Sequence, residues 1–126
     1  MTQALAKRTR GQMAYHSGQA AEKAVADHYR ARGYLVSHVR WRGTAGEIDL
    51  ILRRNDSIVF VEVKQSKRTE TLASRVSRRQ MRRLLNAASE FLAQSPQGLL
   101  TPSRFDVALV DGVGHIEVIE NAIMEA

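Results

Sequence analysis

Two short runs of strand-like residues carry charged side chains among apolar ones. In Gly46-Glu47-Ile48-Asp49-Leu50-Ile51-Leu52, a period of two puts Ile48, Leu50 and Leu52 on one face and Glu47, Asp49 and Ile51 on the other. In Ile58-Val59-Phe60-Val61-Glu62-Val63-Lys64, the valines form one face, and Ile58, Phe60, Glu62 and Lys64 form the other. Both faces are largely apolar, as in a central strand, yet Glu62 and Lys64 interrupt one of them. A buried carboxylate is costly unless it is paired or bound to a cation. If the two runs are hairpin neighbours, Asp49 and Glu62 face one another, and two carboxylates that close repel unless a divalent cation sits between them. Lys64 reaches the same place, where its ammonium would position a scissile phosphate or orient an attacking water. The plainer alternative is an ion pair of Glu62 with Lys64 at a strand end, with Asp49 capping a turn. An aspartate followed thirteen residues later by Glu-x-Lys, on converging faces, favours the cation site.

Two further polar residues allow two readings each. Glu22 falls on the helical stripe Gly18, Glu22, Val25, Tyr29, so it points with the apolar side. It is also an ordinary acid near a helix start, where the dipole favours it. Gln80 stands three residues after Ser77, as the third residue of a capping box or as a polar group near the acids. The histidines, His16, His28, His38 and His115, have no metal-ligand spacing, and His38 alone precedes the acidic strand closely enough to approach it. No nucleophile-elbow or Gly-rich phosphate loop is present, and Gly43 and Gly46 read as turn residues.

These side chains need a sheet and two helices to hold them. Ser17 is a plausible N-cap for a helix over 18–32 that Gly33 ends. Residues 34–41 read as a strand, broken by Gly43-Thr44-Ala45-Gly46. Two more follow over 47–53 and 58–64, joined through Arg54-Asn55-Asp56-Ser57. A polar connection, expected to be a flexible loop, runs to about Val76. The next helix places Met81, Leu84, Leu85, Ala88, Phe91 and Leu92 on one face and stops at Ser95-Pro96-Gln97-Gly98. A final hairpin spans 104–110 and 115–119. The expected fold is α/β, a central mixed sheet flanked by helices in the order α-β-β-β-α-β-β. Residues 1–16 are expected to be a flexible basic arm, and 17–126 a single domain.

The chain has 126 residues, enough for one core without disulfides, and 44% apolar with 25% charged residues marks a globular rather than a disordered chain. It has no cysteine, which excludes thiolate metal sites and suits a reducing cytoplasm. No apolar run approaches a membrane span, and the N-terminus lacks a secretory signal's apolar core. The net charge of +6 is unevenly placed: residues 104–126 hold Arg104 against five acids, while Lys64, Lys67, Arg68, Arg75, Arg78, Arg79, Arg82 and Arg83 cluster around a single acid, Glu70. Such a segment can neutralise phosphates and release their counterions, so nucleic acid is the expected partner.

At Gly46-Glu47-Ile48-Asp49-Leu50-Ile51 and Phe60-Val61-Glu62-Val63-Lys64 the sequence resembles the YraN family of small bacterial nuclease-like proteins. That family is similar to archaeal Holliday junction resolvases within the PD-(D/E)xK nuclease superfamily. The resemblance extends from about Gly18 to Val110 and includes Gly18-x-x-x-Glu22, Gly33-Tyr34, Gln80 and Arg104-Phe105-Asp106-Val107. It implies a restriction-endonuclease-like core in which Asp49, Glu62 and the Val63 carbonyl bind Mg²⁺ or Mn²⁺. Lys64 would position or activate the water, Glu22 would match the helix acid of the resolvase-like branch, and Gln80 the supporting polar residue. The implied partner is branched or junction DNA, and the implied assembly a homodimer. Ile48 replaces the superfamily's proline, as is usual in this branch. His38 stands in place of asparagine, and Gln65-Ser66 in place of a basic or hydroxyl residue. The leading expectation is therefore a metal-dependent endonuclease-like protein that reads DNA structure. Against it stand a catalytically silent DNA-binding or scaffold protein that keeps the fold, and a protein-interaction domain that ignores nucleic acid.

Overall fold

A computed structural model describes residues 18–65 and 75–123. Residues 18–30 form helix α1, which ends in a Schellman turn: the Tyr34 amide donates to the Tyr29 carbonyl, the Gly33 amide to that of Arg30. Gly33 takes the left-handed φ of 89° that this ending requires. Strands β1 (Leu35–Arg42), β2 (Glu47–Arg54) and β3 (Ser57–Gln65) follow as an antiparallel meander. The β2–β3 turn is only Asn55-Asp56, closed by the Arg54–Ser57 pair, with Asn55 in the left-handed region.

Helix α2 (Arg78–Ala93) carries the chain across, and β4 (Ser103–Val110) then lies parallel to β3. A 3₁₀ turn, Gly98–Leu100, precedes it, and β5 (Ile116–Ile119) closes the far edge antiparallel to β4. The strand order is β1-β2-β3-β4-β5. The expected order and α/β class are found, with strand ends shifted by at most one residue. The proposed N-cap Ser17, the basic arm 1–16, and residues 66–74 of the expected flexible connection lie outside the described residues. No described helix is long and apolar enough to cross a membrane.

The sheet is covered on both faces. Ala21, Val25, Ala26 and Tyr29 of α1 pack on Leu50, Leu52, Val59 and Val61. Leu84, Ala87, Ala88, Phe91 and Leu92 of α2 pack on Ile51, Ile58, Phe60, Phe105 and Val107. The 3.6-residue period of α2 thus meets the two-residue period of the strands, and β3, buried on both faces, is the central strand. On the α1 side one carboxylate is fully buried. Asp106 of β4 accepts hydrogen bonds from the Tyr29 hydroxyl at 2.7 Å, from the Arg104 guanidinium and from the Asn121 amide. Burial and this bond push the Tyr29 phenol up, and the bond to Asp106 does the same to Arg104.

Candidate metal centre and nucleic-acid cleft

The β2–β3 ladder runs from Arg54–Ser57 to Leu50–Val61. One residue beyond its last pair, the two strands meet through Asp49 instead, whose Oδ2 accepts the Val63 amide at 2.8 Å. A side chain has taken the place of a backbone carbonyl. The Glu62 carboxyl comes within hydrogen-bonding reach of Asp49 and accepts from Gln80 Nε2 at 3.3 Å. Glu62 is 93% buried, and its pKa is pushed up to about 9, first by desolvation and then by the Asp49 carboxylate. Lys64, half-buried and two residues on, pulls the other way. Alternation with Ile58 and Phe60 brings Glu62 and Lys64 to the α2 face, where the N-terminal turn of α2 brings Gln80 to Glu62. In β2 the alternation is interrupted: Ile48 packs with Ile51 on the α2 side and not, as expected, with Leu50 and Leu52, so the bond to the Val63 amide rather than strand parity sets Asp49.

Gln80 resolves its two readings. Ser77 caps α2 by accepting the Gln80 amide at 3.1 Å, but the Gln80 side chain reaches Glu62 rather than the Ser77 backbone, so half of the capping box is formed. Glu22 does not join the carboxylate pair. It lies on α1, on the opposite face of the sheet, bound to Arg40 Nε at 3.1 Å. Burial raises its pKa against the pull of Arg40, and Asp49 adds a smaller raising effect through space. His38 is also held elsewhere, against Ser37 Oγ at 2.7 Å and edge-on to the Phe91 ring.

A cleft of about 440 Å³ opens beside Glu62, walled by the Gly43–Gly46 loop, Arg42, Glu47 and Arg83. The loop is fastened to α2 by one side chain: both oxygens of Glu90 accept the Thr44 amide, and one accepts that of Ala45. These bonds hold Glu90 below the usual carboxylate range. At Gly43 a Cβ would meet Glu90 Oε2 and the Trp41 ring at 2.6 Å, so a side chain there would have to displace the clamp or the ring. The sequence offered no sign of Glu90, since its partners are amides 45 and 46 residues away. Of the basic residues expected to meet nucleic acid, Arg83 lines the cleft, while Arg78, Arg79 and Arg82 lie exposed along α2. Arg75 is half-buried and donates to the Gln65 carbonyl. Lys67 and Arg68 fall outside the described residues.

The donor set suits a hard divalent cation: two contiguous carboxyls, one of which is protonated or repelled when alone, beside the main chain of Val63. Among the described residues no third acid or histidine converges on them. Water or substrate oxygens would have to complete the shell.

The fold is a mixed five-stranded α/β sheet between helices, and Glu62, the buried member of the carboxylate pair, lines a cleft together with Arg42 and Arg83. Residues 21–110 match the profile of the Uncharacterised protein family UPF0102. Curated relatives include UPF0102 proteins of Roseobacter denitrificans, 51% identical over 125 residues (99% of this chain, 97% of the relative), and of Cereibacter sphaeroides, 56% identical over 112 residues (89% and 96%). Another, from Ruegeria pomeroyi, is 54% identical over 114 residues (90% and 93%). The chain belongs to the UPF0102 family, the YraN-like group.

Proposed function

We propose that this protein is a Mg²⁺- or Mn²⁺-dependent endonuclease of the PD-(D/E)xK kind, acting in the cytoplasm on branched or junction DNA. The observation that carries the reading is the contact of Asp49 with Glu62 at the end of the β2–β3 ladder, with Lys64 on the same face. When bound there, a divalent ion lowers the pKa of water and offsets charge on a phosphate. Asp49 and Glu62 would hold it, and the Val63 amide fixes Asp49 in place. Gln80 orients Glu62. Lys64, which makes no hydrogen bond or ion pair among the described residues, has an ammonium available to hold the attacking water and to meet charge that builds on the phosphate. The basic excess of the first 103 residues supplies sequence-independent affinity for the backbone.

The pairing of Glu22 with Arg40 favours a second reading, a DNA-binding protein that keeps the fold without cutting, because it holds the helix acid away from the carboxylate pair. Calorimetric titration with Mn²⁺ and cleavage of a synthetic four-way junction separate the two. The nuclease binds Mn²⁺ and cuts. Asp49→Asn loses both metal binding and cleavage, and Lys64→Ala loses cleavage by about 10²-fold or more while still binding DNA. Wild-type protein that binds the junction and cuts no branched, flapped or linear substrate in Mn²⁺ sinks the enzymatic reading in favour of the silent one.

A further inference from the structure

We infer that Arg83, whose stem packs against the backbone of Gly46, is the residue that seats a DNA phosphate beside the carboxylate pair. The inference rests on the nuclease reading above and adds to it the side chain that places the substrate. Arg42, the other arginine that lines the cleft, is already committed to Glu47 at 3.3 Å. Arg83 makes no hydrogen bond or ion pair among the described residues, yet it walls the same cleft as Glu62.

Packing rather than charge pairing sets its place. A Cβ built at Gly46 would lie 3.2 Å from Arg83 Cγ, 3.4 Å from Cδ and 3.9 Å from Nε, so the arginine stem runs across bare backbone. The loop it crosses is the one that Glu90 fastens to α2. The stem is therefore directed by the backbone of a fastened loop, and its guanidinium keeps its five donors for a ligand. A guanidinium with no hydrogen bond or ion pair among the described residues, in a cleft that also holds Glu47 and Glu62, matches a phosphodiester oxygen with fork geometry. Arg82, one residue away on the same helix, is exposed and lines no part of the cleft, which makes it the control.

The test compares Arg83→Ala, Arg83→Lys and Arg82→Ala in the full chain with a fluorescein-labelled four-way DNA junction. Mn²⁺ affinity, junction affinity across a salt series, and single-turnover cleavage at saturating DNA are the three readouts. Arg83→Ala should bind Mn²⁺ within about twofold of wild type, reduce the salt slope by about 1, and cut about tenfold or more slowly at saturation. Arg83→Lys should recover part of the rate, and Arg82→Ala should alter affinity alone. Equal rates at saturation for Arg83→Ala and wild type overturn the inference while leaving the nuclease reading intact. If wild type binds Mn²⁺ and DNA without cutting, the comparison is read in affinity. A loss of about tenfold for Arg83→Ala, several times that of Arg82→Ala, supports the seat, and equal losses overturn it. Wild type that binds neither metal nor junction removes both readings.

Discussion

Glu62 is the side chain on which stability and the proposed activity pull in opposite directions. In the metal-free protein its carboxyl holds a proton up to about pH 9, whereas in the unfolded chain it gives that proton up near 4.5. Between those values the folded state binds more protons than the unfolded one, so the Glu62 contribution to stability falls as pH rises through the window. Glu62→Gln keeps the shape without the charge. In EDTA at pH 8 it should be more stable than wild type by about 1 kcal/mol or more, and the two should converge as pH falls to about 4.5. In saturating Mn²⁺ the order should reverse, since only wild type gains from binding. Urea unfolding under the two conditions reads both signs, and a Glu62→Gln protein less stable in EDTA at pH 8 defeats the argument. This pair was legible in sequence because a strand has a period of two and an acid in an apolar face stands out. The partner of Glu22 was not. Arg40 sits between the pairs Val39–Leu50 and Trp41–Ile48, so parity would put it with Asp49. Its φ of 54° departs from strand backbone, and its guanidinium goes to Glu22 instead.

At the scale of elements, the β1–β2 connection is the part that has to be rigid for the cleft to keep its shape, and Glu90 is what makes it so. The Glu90 carboxylate lies below its ordinary range, so its contribution is present above about pH 4.5 and is lost as pH falls through the depressed value. Glu90→Gln should raise amide exchange at Thr44 and Ala45 by about tenfold at neutral pH while leaving α2 protected, since the loop opens below the global unfolding energy. Unchanged exchange at those two amides would show that Glu90 does not hold the loop. Gly43→Ala meets the Glu90 carboxylate and the Trp41 ring together and should cost about 1–3 kcal/mol, seen as a fall of several degrees in Tm. The helices, strands and turns themselves could be read from periodicity, from Gly33 and from Ser77, because those signals are local. The clamp could not, because it joins a helix residue to backbone amides that any sequence would possess.

Across the whole molecule, the two helical layers depend on different kinds of contact. The α2 layer has an apolar centre, with Phe91 edge-on to His38, Trp41 and Phe60, and its polar contacts lie at its margins in Gln80–Glu62 and the Glu90 clamp. The α1 layer is tied to the sheet through Asp106, a charge with no solvent exposure. Tyr29 reaches it from 77 residues earlier, Arg104 from two residues before on the same strand, and the Asn121 amide from beyond β5. One carboxylate thus joins α1, β4 and the C-terminal edge. Nothing in Arg104-Phe105-Asp106-Val107 announces this, because the tyrosine lies on a separate element and only the fold brings it near. Removing one partner of a buried, hydrogen-bonded ion pair leaves the other uncompensated, so Asp106→Ala should cost about 3–5 kcal/mol. Tyr29→Phe, which removes one of several donors, should cost about 1 kcal/mol. The carboxylate pair lies on the other face of the sheet, so the fraction of Asp106→Ala that remains folded should bind Mn²⁺ with wild-type affinity. Urea unfolding gives the first two values and calorimetry the third. An Asp106→Ala protein within 1 kcal/mol of wild type would mean that apolar contacts alone hold α1 on the sheet. A large loss of Mn²⁺ affinity in folded protein would mean that the two faces are coupled through β3 and β4.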